Sequence, residues 1–324
     1  MTRSRVCVLG SANVDLVASV TQAPAPGETV FGSAFAITAG GKGLNQAVAA
    51  ARAGAEVAFI GAVGADDFGL RLQGVLEREG IDRTGLTVSA EPTGIAHIMV
   101  TDDGENSIIV VPGANAEEQL HAGDAGLIEG SAVLMAQLER PIALVAEAFR
   151  VARAHRVRTV LTPAPVTAGI DELLELADIV VPNAGEACAL TGAESARDAA
   201  ALLAAGERIA VVTCGADGVI VARAGEVVAH VPAVPAPVVV DTTGAGDTLA
   251  GVLCARLAAG DELIEAVRAG VVAASLSVRR RGAADAMPTA TEISAEIDGA
   301  QSMGSTEKRN AAPCRNGSEI SKFS

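Results

Sequence analysis

The sequence predicts an α/β fold built on a mostly parallel sheet that carries helices on both faces. Three observations support this. Short runs rich in Val and Ile alternate with longer, Ala-rich runs of helical period. Half of the 324 residues are apolar, ample for a sizeable core. Aromatic residues make up 2% of the chain, with no Trp or Tyr, so that core has to be assembled from Ala, Val, Leu and Ile.

Taken in order, residues 6–9 form the first strand, and a polar, glycine-rich stretch runs on to Gly43. Residues 45–53 read as a helix, 56–62 as a strand and 68–79 as a helix. Strands are expected at 132–137, 159–162, 179–181 and 209–213, and helices at 142–155 and 196–205. A strand-like run at 238–240 leads through a glycine turn into a helical run at 249–259. Residues 14–35 and 93–111 break this rhythm. Both read as strands with no helix between them, the second as a hairpin with "DDGEN" at its turn. They make either one small separate sheet or two unrelated surface hairpins. From residue 299 the chain is rich in Ser, Gly, Asn and charge without any period, so residues 299–324 are expected to be a disordered tail.

Composition also narrows the function. The formal net charge of −15 argues against a nucleic-acid surface, which needs clustered Lys and Arg. A phosphate ligand stays compatible with it, because backbone N–H groups bind anions. The short apolar run after the basic start does not read as a secretory leader, and no run has the length of a membrane span. The five cysteines (Cys7, Cys188, Cys214, Cys254 and Cys314) are scattered and odd in number. They form no CxxC pair, which fits a reducing cytoplasm, and the first four read as small buried hydrophobes.

Four stretches carry candidate chemistry. "DTTGAGDTLAG" (241–251) places two aspartates around a glycine turn that opens a helix. The unpaired amides at such a helix start attract anions. Asp247 beside them is placed either to accept a proton from a hydroxyl or simply to cap the helix. "AGGKGLNQAVAAARAG" (39–54) is not a P-loop, since Gly43 follows Lys42 where Ser or Thr would stand. Its glycines admit a ligand close to the backbone, and Lys42 and Asn45 can donate to hydroxyls, or the stretch is an ordinary glycine loop. "VPNAGEACALTG" (181–192) offers Asn183 and Glu186 either to a hydrated magnesium ion or as a helix cap with its first-turn acid. "VVTCGADGVIV" (211–221) is either a simple hairpin or the edge of a nucleotide site.

These stretches, with "GSANVDLV", "PAPGETV", "GENSIIVVPGAN" and "AQLE", resemble in order and register the PfkB family of carbohydrate kinases, nearest by motif to its ribokinase branch. The resemblance covers about residues 6–288. It implies a three-layer α/β sandwich with a mostly parallel central sheet and a small β-sheet lid from about 12–38 and 93–111. The kinase domain would be residues 1–298, and the lid would clasp a second copy as a homodimer. The implied reaction moves the γ-phosphoryl group of ATP to the 5-hydroxyl of D-ribose. Asp247 would be the base, and the amides around Gly244, Ala245 and Gly246 the anion hole. Asn13, Asp15, Gly41, Lys42, Asn45 and Glu139 would hold the sugar. Asn183 and the loop Thr213, Cys214, Gly215, Ala216, Asp217 and Gly218 would bind ATP, with Glu186 organising Mg2+ through water. Asp241, Thr243, Ser277, Arg280, Gly282 and Ala286 would surround a monovalent cation, usually K+. Ala286 departs from the serine often found there, which removes one side-chain oxygen.

Other acceptors stay open at this point: deoxyribose, fructose or adenosine. Phe31 and Phe35 are the aromatics of the expected lid, fewer than a nucleoside base would call for. A catalytically silent sugar-binding protein is disfavoured by the intact Asp247, Lys42 and glycine turn. A dehydrogenase is disfavoured because no GxGxxG follows the first strand.

Overall fold

The computed structural model describes residues 4–299. Apart from Gly299, the expected tail and Cys314 lie outside the described residues.

The chain enters the body through β1 (Arg5–Leu9), leaves it as β2 (Asn13–Val20) and β3 (Ala34–Gly40), and returns as α1 (Lys42–Arg52). β4 (Glu56–Gly64), α2 (Asp67–Arg78) and β5 (Asp82–Ser89) follow in the body, and β6 (Gly94–Thr101) and β7 (Asn106–Val111) leave it again. Then come α3 (Asp124–Glu129), β8 (Val133–Gln137), α4 (Ile142–Ala154), β9 (Arg158–Thr162), α5 (Asp171–Leu176) and β10 (Ile179–Val180). After α6 (Ala184–Thr191), α7 (Ala196–Leu203) and β11 (Ile209–Thr213), the chain doubles back through β12 (Val219–Arg223) and β13 (Glu226–Val231). α8 (Ala245–Ala259) and α9 (Leu263–Ser277) follow, and residues 290–299 are helical.

Among the described residues the body sheet has nine strands in the order β13-β12-β11-β10-β9-β8-β1-β4-β5. It is parallel from β11 to β5, and the hairpin β12–β13 adds antiparallel pairs at one edge. Successive residues of a strand point to opposite faces, so a strand buried on both sides feeds two cores. In β1, Val6 and Val8 join one core with residues of α1, α2, α8 and α9, while Cys7 and Leu9 join the other with residues of α4 and α7. Small residues let the helices come close. A Cβ on Gly251 of α8 would sit 2.5 Å from the Gln46 carbonyl oxygen and 2.6 Å from the Ala49 Cβ of α1. This contact lies one turn below Asp247, so it sets how near α1 comes to that residue.

The rhythm-breaking segments form one four-stranded sheet, β3-β2-β6-β7, as the first of the two readings had it. β2 and β6 run parallel, with Asn13 opposite Gly94. Asn115 fastens the root of this sheet: its amide donates to the Ala12 carbonyl at 3.1 Å and to Asn13 Oδ1 at 2.8 Å, and its oxygen accepts the Ala12 N–H at 3.0 Å.

One expected element is absent. Residues 238–240 form no strand, and Val238, Val239 and Val240 are exposed. The Val240 N–H donates to the Val278 carbonyl at the end of α9, so the run docks on a helix terminus instead of entering the sheet. Apolar, β-branched composition predicts a strand wherever it occurs, and here tertiary context decides otherwise.

Candidate active site

A cleft of about 800 Å3 opens at the C-terminal ends of the parallel strands, where the N-termini of α1, α6 and α8 meet. Its lining includes Lys42, Asn183, Glu186, Gly244, Gly246 and Asp247. In an open α/β sheet this is where loops and helix N-termini converge on ligands.

Asp247 sits at the third helical position of α8, yet Gly244, the residue before the helix, receives no side-chain cap from it. The capping reading therefore falls. The carboxylate is held by α1 instead: Asn45 donates to Oδ2 at 3.1 Å and Gln46 donates to Oδ1 at 2.9 Å. Burial pushes its pKa up, opposed by the Lys42 charge and the Gln46 and Asn45 amides; Glu139 adds to the rise. Such an acid is closer to a base poised for proton transfer than a surface aspartate is. Of the amides expected to form the anion hole, that of Ala245 already donates to the Thr242 carbonyl at 3.3 Å. Those of Gly246 and Asp247 lie in the first turn, where no helical acceptor exists.

The residues expected to hold a sugar gather beside this point, outside the cleft lining except for Lys42. Glu139 Oε2 accepts the Lys42 backbone N–H at 3.0 Å and the Ser11 hydroxyl, which ties the turn after β8 to the start of α1. Asn45 is buried and its Oδ1 has no donor. Asp15 packs against the bare Cα of Gly40, where a Cβ would lie 2.2 Å from Oδ2. Burial pushes its carboxyl up to about 7, and the nearby Glu139 adds to this. Gly41 has φ +90°, which glycine alone adopts freely, and it immediately precedes α1.

On the other side of the cleft, Asn183 and Glu186 form a reciprocal capping box at 2.8 Å in each direction. Thr213, Gly215, Ala216 and Gly218 line the wall. Cys214 and Asp217 do not. Cys214 turns inward toward the Val212 carbonyl, and the Asp217 carbonyl pairs with the His230 ring at 2.7 Å.

Asp241 behaves differently from Asp247. Its Oδ1 accepts the Thr243 N–H and its Oδ2 the Gly282 N–H, both at 2.9 Å. Burial works against its charge, but these amides outweigh it and hold the carboxyl below its ordinary range. Arg280 lies in the same turn, its N–H on the Ser277 carbonyl, and the Ser277 hydroxyl is engaged by the Ala274 carbonyl. Ala286 is buried in a 3-10 turn at 284–286, which Arg52 braces through the carbonyls of Ala284 and Met287 at 2.9 Å. Gly244, at φ +74°, packs on Ala283, so this loop supports the glycine turn directly.

The fold, the helix-start glycine turn and the aspartate held above it describe a kinase site, and comparison with known proteins gives it a family. The model of the pfkB family carbohydrate kinases matches residues 3–290. The chain belongs to that family. It is 42% identical to a ribokinase of Haemophilus influenzae over 90% of this chain and 97% of that protein. Among solved structures, an Arabidopsis thaliana ribokinase complexed with ribose and ATP superposes with a TM-score of 0.85 at 31% identity, covering 92% of this chain and 99% of that one. A Thermotoga maritima ribokinase gives 0.84 at 32% identity, covering 90% and 99%. The expected sandwich with a mostly parallel sheet and a small separate sheet is thus the observed one.

Motif reading missed three groups of residues: Gln46, Gln137 and Thr162 behind Asp247; Ser11 and Asn115 at the lid root; and His230 of β13, which holds the 213–218 loop. Gln46 did leave a signal. A glutamine in the middle of the apolar run "AVAAA" has to find partners once buried.

Proposed function

We propose that the chain transfers the γ-phosphoryl group of ATP to the 5-hydroxyl of D-ribose, giving ribose 5-phosphate and ADP. One observation carries the reading: a carboxylate, Asp247, is fixed at the junction of the sugar residues and the nucleotide cleft, beside the unpartnered amides of a helix N-terminus. Asp247 takes the hydroxyl proton as the oxygen attacks phosphorus. The bond from phosphorus to the bridging oxygen of ADP breaks, and the amides of Gly246 and Asp247 steady the charge on the transferring group. Asn13, Asp15, Gly41, Lys42, Asn45 and Glu139 position the sugar, and the unpartnered Asn45 Oδ1 suits a hydroxyl donor.

The residues fit two cations. Glu186, at the cleft edge beside Asn183, would hold a hydrated Mg2+, which offsets phosphate charge when bound. The oxygen-rich turn of Asp241, Thr243, Ser277, Arg280, Gly282 and Ala286 suits a monovalent cation such as K+, although Ala286 offers only its carbonyl. The exposed Phe31, Phe35, Ile108 and Ile109 of the lid support a homodimer in which a second lid covers them. The free state of Cys7, Cys188, Cys214 and Cys254 supports a cytoplasmic setting. Among the described residues no helix is long and apolar enough to cross a membrane.

The test is ADP release from MgATP with D-ribose, 2-deoxyribose, fructose and adenosine, each with and without potassium. Fast turnover on ribose that potassium stimulates is expected. Preference for another acceptor would overturn the substrate, and turnover on none would overturn the kinase reading.

A further inference from the structure

We propose that Gln46 is a positioning residue for phosphoryl transfer, a buried amide that clamps Oδ1 of Asp247 so that the carboxylate meets the sugar hydroxyl in a single orientation. The inference rests on the reading of Asp247 as the base.

Gln46 is 1% exposed and its hydrogen bonds are internal to the protein. Its Nε2 donates to Asp247 Oδ1 at 2.9 Å and to Thr162 Oγ1 at 3.0 Å, so both amide hydrogens are committed. Its Oε1 accepts from Gln137 Nε2 at 2.6 Å. Thr162 in turn donates to the Ala136 carbonyl at 3.4 Å. This chain of donors has one direction. Because Gln137 supplies a hydrogen to Oε1, the other end of the Gln46 amide has to present N–H groups, and the acid it faces has to accept.

The chain is also tightly enclosed. A Cβ on Gly10 would lie 2.3 Å from Gln137 Oε1 and 2.6 Å from the Gly43 Cα, so glycine at residue 10 gives Gln137 its place. Two strands, β8 and β9, and helix α1 therefore all bear on one oxygen of one carboxylate. A surface cap would not need such backing. An acid that has to present one lone pair along a fixed line does, because small misplacements of a reacting group are costly in rate. The remaining groups facing Asp247 are Asn45, which holds Oδ2, and two charges: Lys42 from α1 and Glu139 from the turn after β8. Gln46 is the neutral partner that favours the charged acid without competing for substrate.

The experiment compares Gln46→Met, Gln46→Glu and Gln137→Met with the parent enzyme, using kcat, sugar KM and the pH profile of kcat, with Asp247→Asn measured alongside. Gln46→Met is expected to lose about 10- to 100-fold in kcat, the scale of one hydrogen bond to a charged group, with sugar KM within about two-fold. The acid limb of kcat should move to higher pH, since a donor to the charged form is gone. Gln46→Glu keeps the shape and sets a second carboxylate against Oδ1, so it should move that limb further. It decides the matter if the methionine variant does not fold. Gln137→Met should produce the same displacement in smaller measure. A folded Gln46→Met or Gln46→Glu with the parent kcat and acid limb, or with only KM raised, overturns the inference while a dead Asp247→Asn leaves the base assignment standing. Near-normal turnover of Asp247→Asn overturns both.

Discussion

The two aspartates of the glycine turn sit six residues apart and are held in opposite ways. Asp247 is gripped by side-chain amides from another helix, and burial raises its pKa. Asp241 is gripped by backbone amides of its own turn and of the 282 loop, and its pKa is lowered. Both are acids beside the same flexible turn, yet the first is kept ready to gain a proton and the second to stay charged. The difference shows that partners, not residue type or local sequence, assign a carboxylate its chemistry.

The sharpest way to break this contrast is to remove each charge in turn. Asp247→Asn should keep sugar and ATP binding but lose about 10^2- to 10^4-fold in kcat, the scale of a removed general base, as measured by steady-state turnover and by binding calorimetry. Sugar affinity at Asp15 comes next. Asp15→Asn should raise the sugar KM about 10- to 100-fold, because hydrogen bonds to a charged acceptor are lost. The same variant should be more stable without sugar at pH 8. A folded-state pKa of about 7 against an ordinary 3.8 means that the folded chain binds the extra proton, so wild-type stability falls as pH rises from about 4 to 7. The uncharged amide of the variant escapes that loss, and a gain of about 2–4 °C in Tm at pH 8, absent at pH 4, would show it. Asp241→Ala should have the smallest effect on turnover in low salt and should chiefly flatten the response to potassium. A potassium curve identical to the parent's would remove the cation assignment.

Much of this was legible in the sequence, because the glycine turns and the strand-helix alternation are local signals. Lys42, Asn45 and Asp247 stood out in the sequence as polar residues among glycines at helix starts, and the fold brings Asn45 onto Asp247. The lid was readable as two strand regions, but their merger into one sheet depends on the parallel pairing of β2 with β6, which no local pattern encodes. Residues 238–240 misled because a β-branched run states a preference that docking on α9 overrides. The Gln46–Gln137 pair was hidden for a related reason. Each residue looks like an isolated polar position in its own element, and only the approach of α1 to β8 makes them a pair. The 213–218 connection was readable as a loop between two strands, although its inward Cys214 and the carbonyl of Asp217 held by His230 were not.

The lid root has a mechanical side. Asn13 and Asp15 ride on β2 of the outer sheet, whereas Lys42, Asn45 and Glu139 belong to the body, and Asn115 is the pin between the two. A ligand that met both sets would fasten the outer sheet to the body. Asp15 and Glu139 oppose one another across that joint, and Glu139 adds to the rise that burial causes in the Asp15 pKa. Hydroxyls donating to both acids would relieve that opposition, so a ligand would serve the joint as a latch.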